Sequence, residues 1–202
     1  MLSHWIIAPV VLPAVLAPLI VLAFRRDLTL QRVFSTAGTI ALLVLALSLL
    51  LASAKGPELY RLGDWPAPFG IVLMLDRLSA LMLVLTAGLA LVVQLYAMGT
   101  GWDTRGKHFH ALLQFQLMGL NGAFLTADAF NLFVFFEVLL IASYALMIHG
   151  AGGDRLRAGV QYVAFNLLGS TLFLIALATI YAVTGTLNMA DLAGKVAALP
   201  EG

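Results

Sequence analysis

The run Ala129-Phe-Asn-Leu-Phe-Val-Phe-Phe-Glu-Val-Leu-Leu-Ile-Ala-Ser-Tyr-Ala-Leu-Met-Ile148 is apolar over most of its length and carries one carboxylate, Glu137. About 20 helical residues, rising 1.5 Å each, cross a hydrocarbon core of roughly 30 Å, so the run has the length of a transmembrane helix. Glu137 falls about 12 Å along that axis, near the bilayer centre and beyond the reach of any capping role. A charge there costs roughly 2.5–3.5 kcal/mol on insertion scales, which makes an intramembrane acid a functional-site hypothesis by default. Burial works against the charged form of a carboxylate and a neighbouring cation works for it, so the charge is set by the surroundings. Two readings stay open at this level: proton or cation handling, and a glutamate that only ties helices together.

Working outward, the rest of the chain has the same character. Of its 202 residues 62% are hydrophobic and 10% charged, with a mean hydropathy of +1.01. That balance is far from a soluble domain's and implies an integral membrane protein. A net charge of +1 gives no reason to expect nucleic acid. With no cysteine, disulfides, thiolate metal sites and iron–sulfur ligation are excluded for this chain. His4, His108, His110 and His149 lack the spacing of a metal-binding helix motif, and neither metal nor cofactor is expected.

Six runs have the length to cross a bilayer: Trp5 to Phe24, Val33 to Ser53, Ile71 to Met98, Phe109 to Thr126, Phe130 to Ile148 and Val160 to Val183; the third carries Asp76 and Arg77 in its first turns, which gives a start nearer Leu78 as the alternative. The expected fold is therefore all-α and polytopic, with six transmembrane helices. Residues 1–107 form three leading helices with an outer loop, and residues 108–202 the next three. Arg25, Arg26, Arg32, Arg105, Lys107, Arg155 and Arg157 lie on one side, against Lys55, Arg61 and Lys195 on the other. The positive-inside rule then puts the N-terminus outside. The first run has its basic residues behind it, the wrong order for a cleaved signal, and is expected to stay as an anchor. Pro9, Pro13 and Pro18 within it free backbone carbonyls that neighbouring helices must satisfy. The loop from Ala54 to Gly70, with Pro57, Trp65, Pro66 and Pro68, is expected to be a short cap without a fold of its own.

Polar residues recur at helical spacing. Tyr144 is seven residues beyond Glu137, on the same face, with Ser143 beside it. His110, Gln114 and Asn121 form one stripe on the fourth run, where Gly119 and Ala123 allow close backbone approach. Tyr162, Asn166 and Ser170 form another on the sixth. Each residue alone is explained by an interhelical hydrogen bond worth about 1 kcal/mol or less; together around one acid they have the look of a hydrated path. Asp128, in the tight turn between the fourth and fifth runs, suits either an N-cap or the outer mouth of an ion path. The loop from Gly150 to Arg157 is glycine-rich but lacks a phosphate-binding lysine, and reads as a connector. No lysine lies within the spans.

The run Phe124-Leu-Thr-Ala-Asp-Ala-Phe-Asn-Leu-Phe-Val-Phe-Phe-Glu-Val-Leu-Leu-Ile-Ala-Ser-Tyr-Ala-Leu146 resembles the fourth-to-fifth helix region of the D subunit of multisubunit monovalent cation/proton antiporters, the Mrp, Mnh or Pha type. Gln161-Tyr-Val-Ala-Phe-Asn-Leu-Leu-Gly-Ser-Thr-Leu-Phe173 and Thr184-Gly-Thr-Leu-Asn-Met-Ala-Asp-Leu192 are similar to its sixth helix and following loop, and Asp76-Arg-Leu-Ser-Ala-Leu81 fits its third. The resemblance implies that Glu137 is the family's essential intramembrane acid, coupling proton movement to Na+ or K+ exchange within a hetero-oligomeric complex of the cell's inner membrane. Antiporter-like proton-pumping subunits of respiratory complex I and of membrane-bound hydrogenases are relatives sharing that glutamate. They give the first alternative, and a purely structural membrane subunit gives the second. Family members have about fourteen helices in inverted repeats. The resemblance thus covers an N-terminal portion, with the lysine that partners the glutamate expected beyond Gly202.

Overall fold

Asp76 decides where the third helix begins. Its carboxylate accepts from Ser79 N (2.7 Å) while Ser79 Oγ accepts from Asp76 N (2.9 Å), a reciprocal capping box. The computed structural model describes residues 3–65 and 68–198, so Pro66 of the outer loop lies outside the described residues. Because the cap fixes a helix start at Arg77, the apolar residues just before it are left to another element. Val72–Leu75 form a strand, β2, paired antiparallel with β1, Glu58–Arg61, in the register Glu58↔Leu75 to Arg61↔Val72. The outer loop thus has a fold of its own, contrary to the all-coil expectation, and the third span does not start at Ile71. Val72, Leu73 and Leu75 are buried under the helix ends, which explains why hydropathy alone merged them with the span.

The helices are α1 (Ala8–Ala23), α2 (Leu28–Ala52), α3 (Arg77–Gly99), α4 (Phe109–Leu125), α5 (Ala129–Met147), α6 (Gly153–Thr184) and α7 (Met189–Ala197). Among the described residues four helical segments are long and apolar enough to cross a membrane: Leu28–Lys55, Arg77–Gly99, Ala129–Met147 and Gly153–Thr184. The chain is a multi-pass membrane protein. α1, with 16 residues, and α4, with 17, fall short of that length. α7 was not anticipated. Asn188 caps it through Ala190 N and Asp191 N, both at 3.2 Å, and Asp191 pairs with Lys195 one turn on (3.3 Å).

α4 is the centre of the molecule, packed between α5 on one side and α1 on the other, with α2 and α3 completing the bundle. Between lipid-facing helices there is little hydrophobic drive to associate, so close packing and polar ties carry the contact. Small residues supply the first: Ala46, Ala80, Ala87 and Ala97 are buried between helices. At the α4–α5 crossing a Cβ on Gly119 would stand 2.7 Å from Leu139 N and 2.9 Å from its Cα, so only glycine permits the approach. α6 is held far more loosely. Only Gly159 and Leu177 among its residues are buried, and long apolar side chains such as Leu167 and Leu168 are exposed.

At the end of the hairpin carrying Glu137, three connections run side by side. Ala127 N donates to Val72 O (2.8 Å), Ala129 N to Leu187 O (2.8 Å) and Met189 N to Ala127 O (2.9 Å). The outer hairpin, the α4–α5 turn and the α6–α7 loop are thereby joined by backbone.

Candidate ion-path site

Glu137 is the ninth residue of α5 and is half-buried at the α5–α6 seam. Its Oε1 accepts a hydrogen bond from Ser170 Oγ of α6. The two side chains face a cleft of about 340 Å³, shared with Phe133, Phe136, Asn166 and Phe173. The cleft is chemically divided. Towards the α4–α5 turn, Phe130, Phe133, Phe136 and Phe173 form a chain of ring contacts with centroids 6.0–6.4 Å apart. Towards the α5–α6 loop the cleft is lined by Leu139, Leu140 and Asn166, and the seam beyond it carries polar contacts. Asn166 Nδ2 donates to Tyr162 O (2.9 Å), the Tyr162 ring meets Tyr144 edge-on (5.5 Å, 84°), and Tyr162 OH lies 3.3 Å from Ser143 Oγ. Glu137, Ser170, Asn166 and Tyr144, all singled out in sequence, therefore share one seam.

His110, Gln114 and Asn121 do not join it. Their stripe is buried on the opposite side of α4, against α1 and α2. Asn121 Nδ2 donates to Pro9 O (2.9 Å). This is the carbonyl that Pro13, lacking an N–H, leaves without its helical donor. Gln114 Nε2 donates to Ser35 O (3.2 Å), Ser35 Oγ (3.1 Å) and Thr39 Oγ1 (3.2 Å). Thr39 Oγ1 reaches Gln94 Oε1 (3.0 Å), and Gln94 Nε2 donates to Thr36 Oγ1 (3.0 Å), so α2, α3 and α4 are laced by one buried amide–hydroxyl string.

That string ends beside an ion pair the sequence reading missed. Arg32 clasps Asp103 through Nε (2.6 Å) and Nη2 (2.9 Å), and His110 Nε2 lies 3.1 Å from the same carboxylate. Asp103 is 1% exposed. The hydrogen bonds from Arg32 hold its carboxyl below the usual carboxylate range against the opposing effect of burial, with a further contribution from His110. A signal was available: Gln31, Ser35 and Thr39 repeat every four residues and mark a buried polar face on α2 next to Arg32. Among the described residues no three His, Cys, Asp or Glu side chains are grouped to hold a metal. Asp128 caps α5 through Asn131 N (2.7 Å), and burial raises its carboxyl above the ordinary value.

Residues 126–200, which contain Glu137 and Ser170, match the family model described as NADH:quinone oxidoreductase/Mrp antiporter, TM. Residues 61–99 match the complex I chain 5 N-terminus model. The D subunit of a probable K(+)/H(+) antiporter from Rhizobium meliloti is 52% identical over 204 residues, covering 98% of this chain and 38% of the relative. Over nearly its whole length the chain is similar to part of an antiporter D subunit. In solved structures, the D-subunit-like chain overlays the Mrp complex from Dietzia sp. DQ12-45-1b with a TM-score of 0.89 at 31% identity, over 98% of this chain and 39% of that one. It overlays respiratory complex I from Thermus thermophilus with a TM-score of 0.75 at 26% identity, over 96% and 39%. It spans 38–39% of the length of these three.

Proposed function

We propose that this chain acts as part of a membrane subunit of a sodium(potassium)/proton antiporter, in which Glu137 takes up and releases the proton that is exchanged for the cation. The observation that carries the reading is a carboxylate at mid-helix, α5, facing a cleft in the membrane region with a hydroxyl donor, on a chain half identical to an antiporter D subunit. A glutamate needed only as an interhelical tie has no use for a cleft beside it. Other subunits of a multisubunit complex are the expected partners, with H+ and Na+ or K+ as the transported ions. The chain works as a transporter subunit rather than an enzyme.

Under this reading all six long hydrophobic helices cross the inner membrane. α1 and α4 would span about 24–26 Å, a shortfall that local thinning or tilt of their neighbours accommodates at modest energy. The basic residues put the N-terminus outside. Residues 1–107 act as a leading three-helix block and 108–202 as the opening of the first antiporter-like repeat.

Replacing Glu137 by Gln in the assembled complex tests the proposal, since it keeps shape and hydrogen bonding and removes titration. Cation-dependent collapse of a pH gradient in everted vesicles should disappear while assembly persists; persistence of exchange defeats the reading. The likeness to complex I favours a second reading, proton translocation driven by electron transfer. Genes for small antiporter subunits beside the coding sequence support the first, and genes for quinone-module and iron–sulfur subunits the second.

A further inference from the structure

Hydroxyl side chains inside helices ordinarily bond back to their own helix. α6 shows the habit three times: Thr171 Oγ1 donates to Leu167 O (2.8 Å), Thr179 Oγ1 to Ile175 O (2.9 Å) and Thr184 Oγ1 to Ile180 O (2.8 Å). Asn166 likewise spends its amide on the carbonyl one turn back. Ser170 breaks the pattern and donates across the seam to Glu137 Oε1. It is also the one side-chain donor to that carboxylate among the described residues. The surrounding aromatic rings offer Glu137 no donor.

We infer that Ser170 is a positioning residue: its hydroxyl holds the Glu137 carboxylate against α6, beside the aromatic rings of the cleft. The inference rests on the transport role proposed for Glu137 and adds a second residue to it. A donor aimed at a carboxylate steadies its charged form, and it also fixes which rotamer presents the acid to the seam. Ser170 does not itself carry the transported proton in this arrangement; it sets where and how readily Glu137 does.

Two measurements on the assembled complex test this. In everted vesicles energised to form a pH gradient, with NaCl or KCl as probe, Ser170→Ala should displace the pH profile of activity. Apparent cation KM should change less than kcat, and Ser170→Thr, which keeps the hydroxyl, should restore the profile. In infrared difference spectra recorded across a pH step, the carboxylic C=O band that vanishes in Glu137→Gln should move to higher wavenumber in Ser170→Ala and return in Ser170→Thr. The infrared band reads the contact without requiring transport. An unmoved band together with a superimposable pH profile overturns the positioning role; exchange that survives Glu137→Gln overturns the transport role instead.

Discussion

The Asn121 side-chain amide donates to the Pro9 carbonyl at 2.9 Å, so α4 supplies the hydrogen bond that Pro13 denies to α1. Both residues are buried, and no water is at hand inside a bilayer to replace the donor. Asn121→Leu should therefore destabilise the protein by about 1–3 kcal/mol. In a Pro13→Ala background the regained N–H satisfies Pro9 within its own helix, and the same substitution should cost much less. A double-mutant cycle on thermal unfolding in detergent measures the coupling. Equal penalties in the two backgrounds would show that the contact is incidental.

A second prediction concerns the α4–α5 crossing that presents Glu137. Gly119→Ala places a methyl against backbone atoms of Leu139 that cannot rotate away, so α5 must shift. The expected loss is about 1–3 kcal/mol, with weakened transport even where assembly survives. Gly88→Ala in α3 is the matched control, because nothing lies within 4 Å of its new Cβ. It should be neutral or stabilise by up to roughly 1 kcal/mol. Melting temperatures of the two variants side by side decide the matter.

These two contacts also show how far the sequence could be read. That Pro-bearing α1 must be rescued by a neighbour, and that Gly119 marks a close approach, both follow from backbone chemistry and needed no partner to be named. Glu137 was legible because an acid stands out against hydrocarbon. The Tyr162, Asn166 and Ser170 stripe was legible by its spacing, and it lies beside Glu137 because α5 and α6 are joined by a short loop. The stripe of His110, Gln114 and Asn121 shows the limit: period identifies a face but not the neighbour it meets, and central α4 has neighbours on several sides. The outer hairpin was hidden because Val72–Leu75 are as apolar as the helix that follows. Nothing in the spacing of the short loop between α3 and α4 marks Asp103. Only the fold reveals that Arg32, distant in sequence, closes over it.

The Arg32–Asp103 pair gives the last prediction, which concerns pH. Arg32 holds the Asp103 carboxyl below its ordinary value in the folded state. A depressed carboxyl contributes stability that is fully present above its unfolded value of about 4 and is lost as pH falls through the lower folded value. The pair's contribution should thus not vary with pH near neutrality and should be lost only in strong acid. Arg32→Gln strands a carboxylate whose side chain is 0% exposed. With Arg32 itself 34% exposed and partly screened by water, the loss should be roughly 2–4 kcal/mol at neutral pH. The penalty should shrink in acid, because the carboxyl left behind takes up a proton in the folded state and variant and parent then converge. Adding Asp103→Asn to that variant removes the stranded charge and should recover part of the loss. Thermal unfolding of the single and double variants across a pH series checks both signs, and an Arg32→Gln penalty that stays the same from neutral pH into strong acid rules out the guanidinium as the group that holds Asp103 ionised.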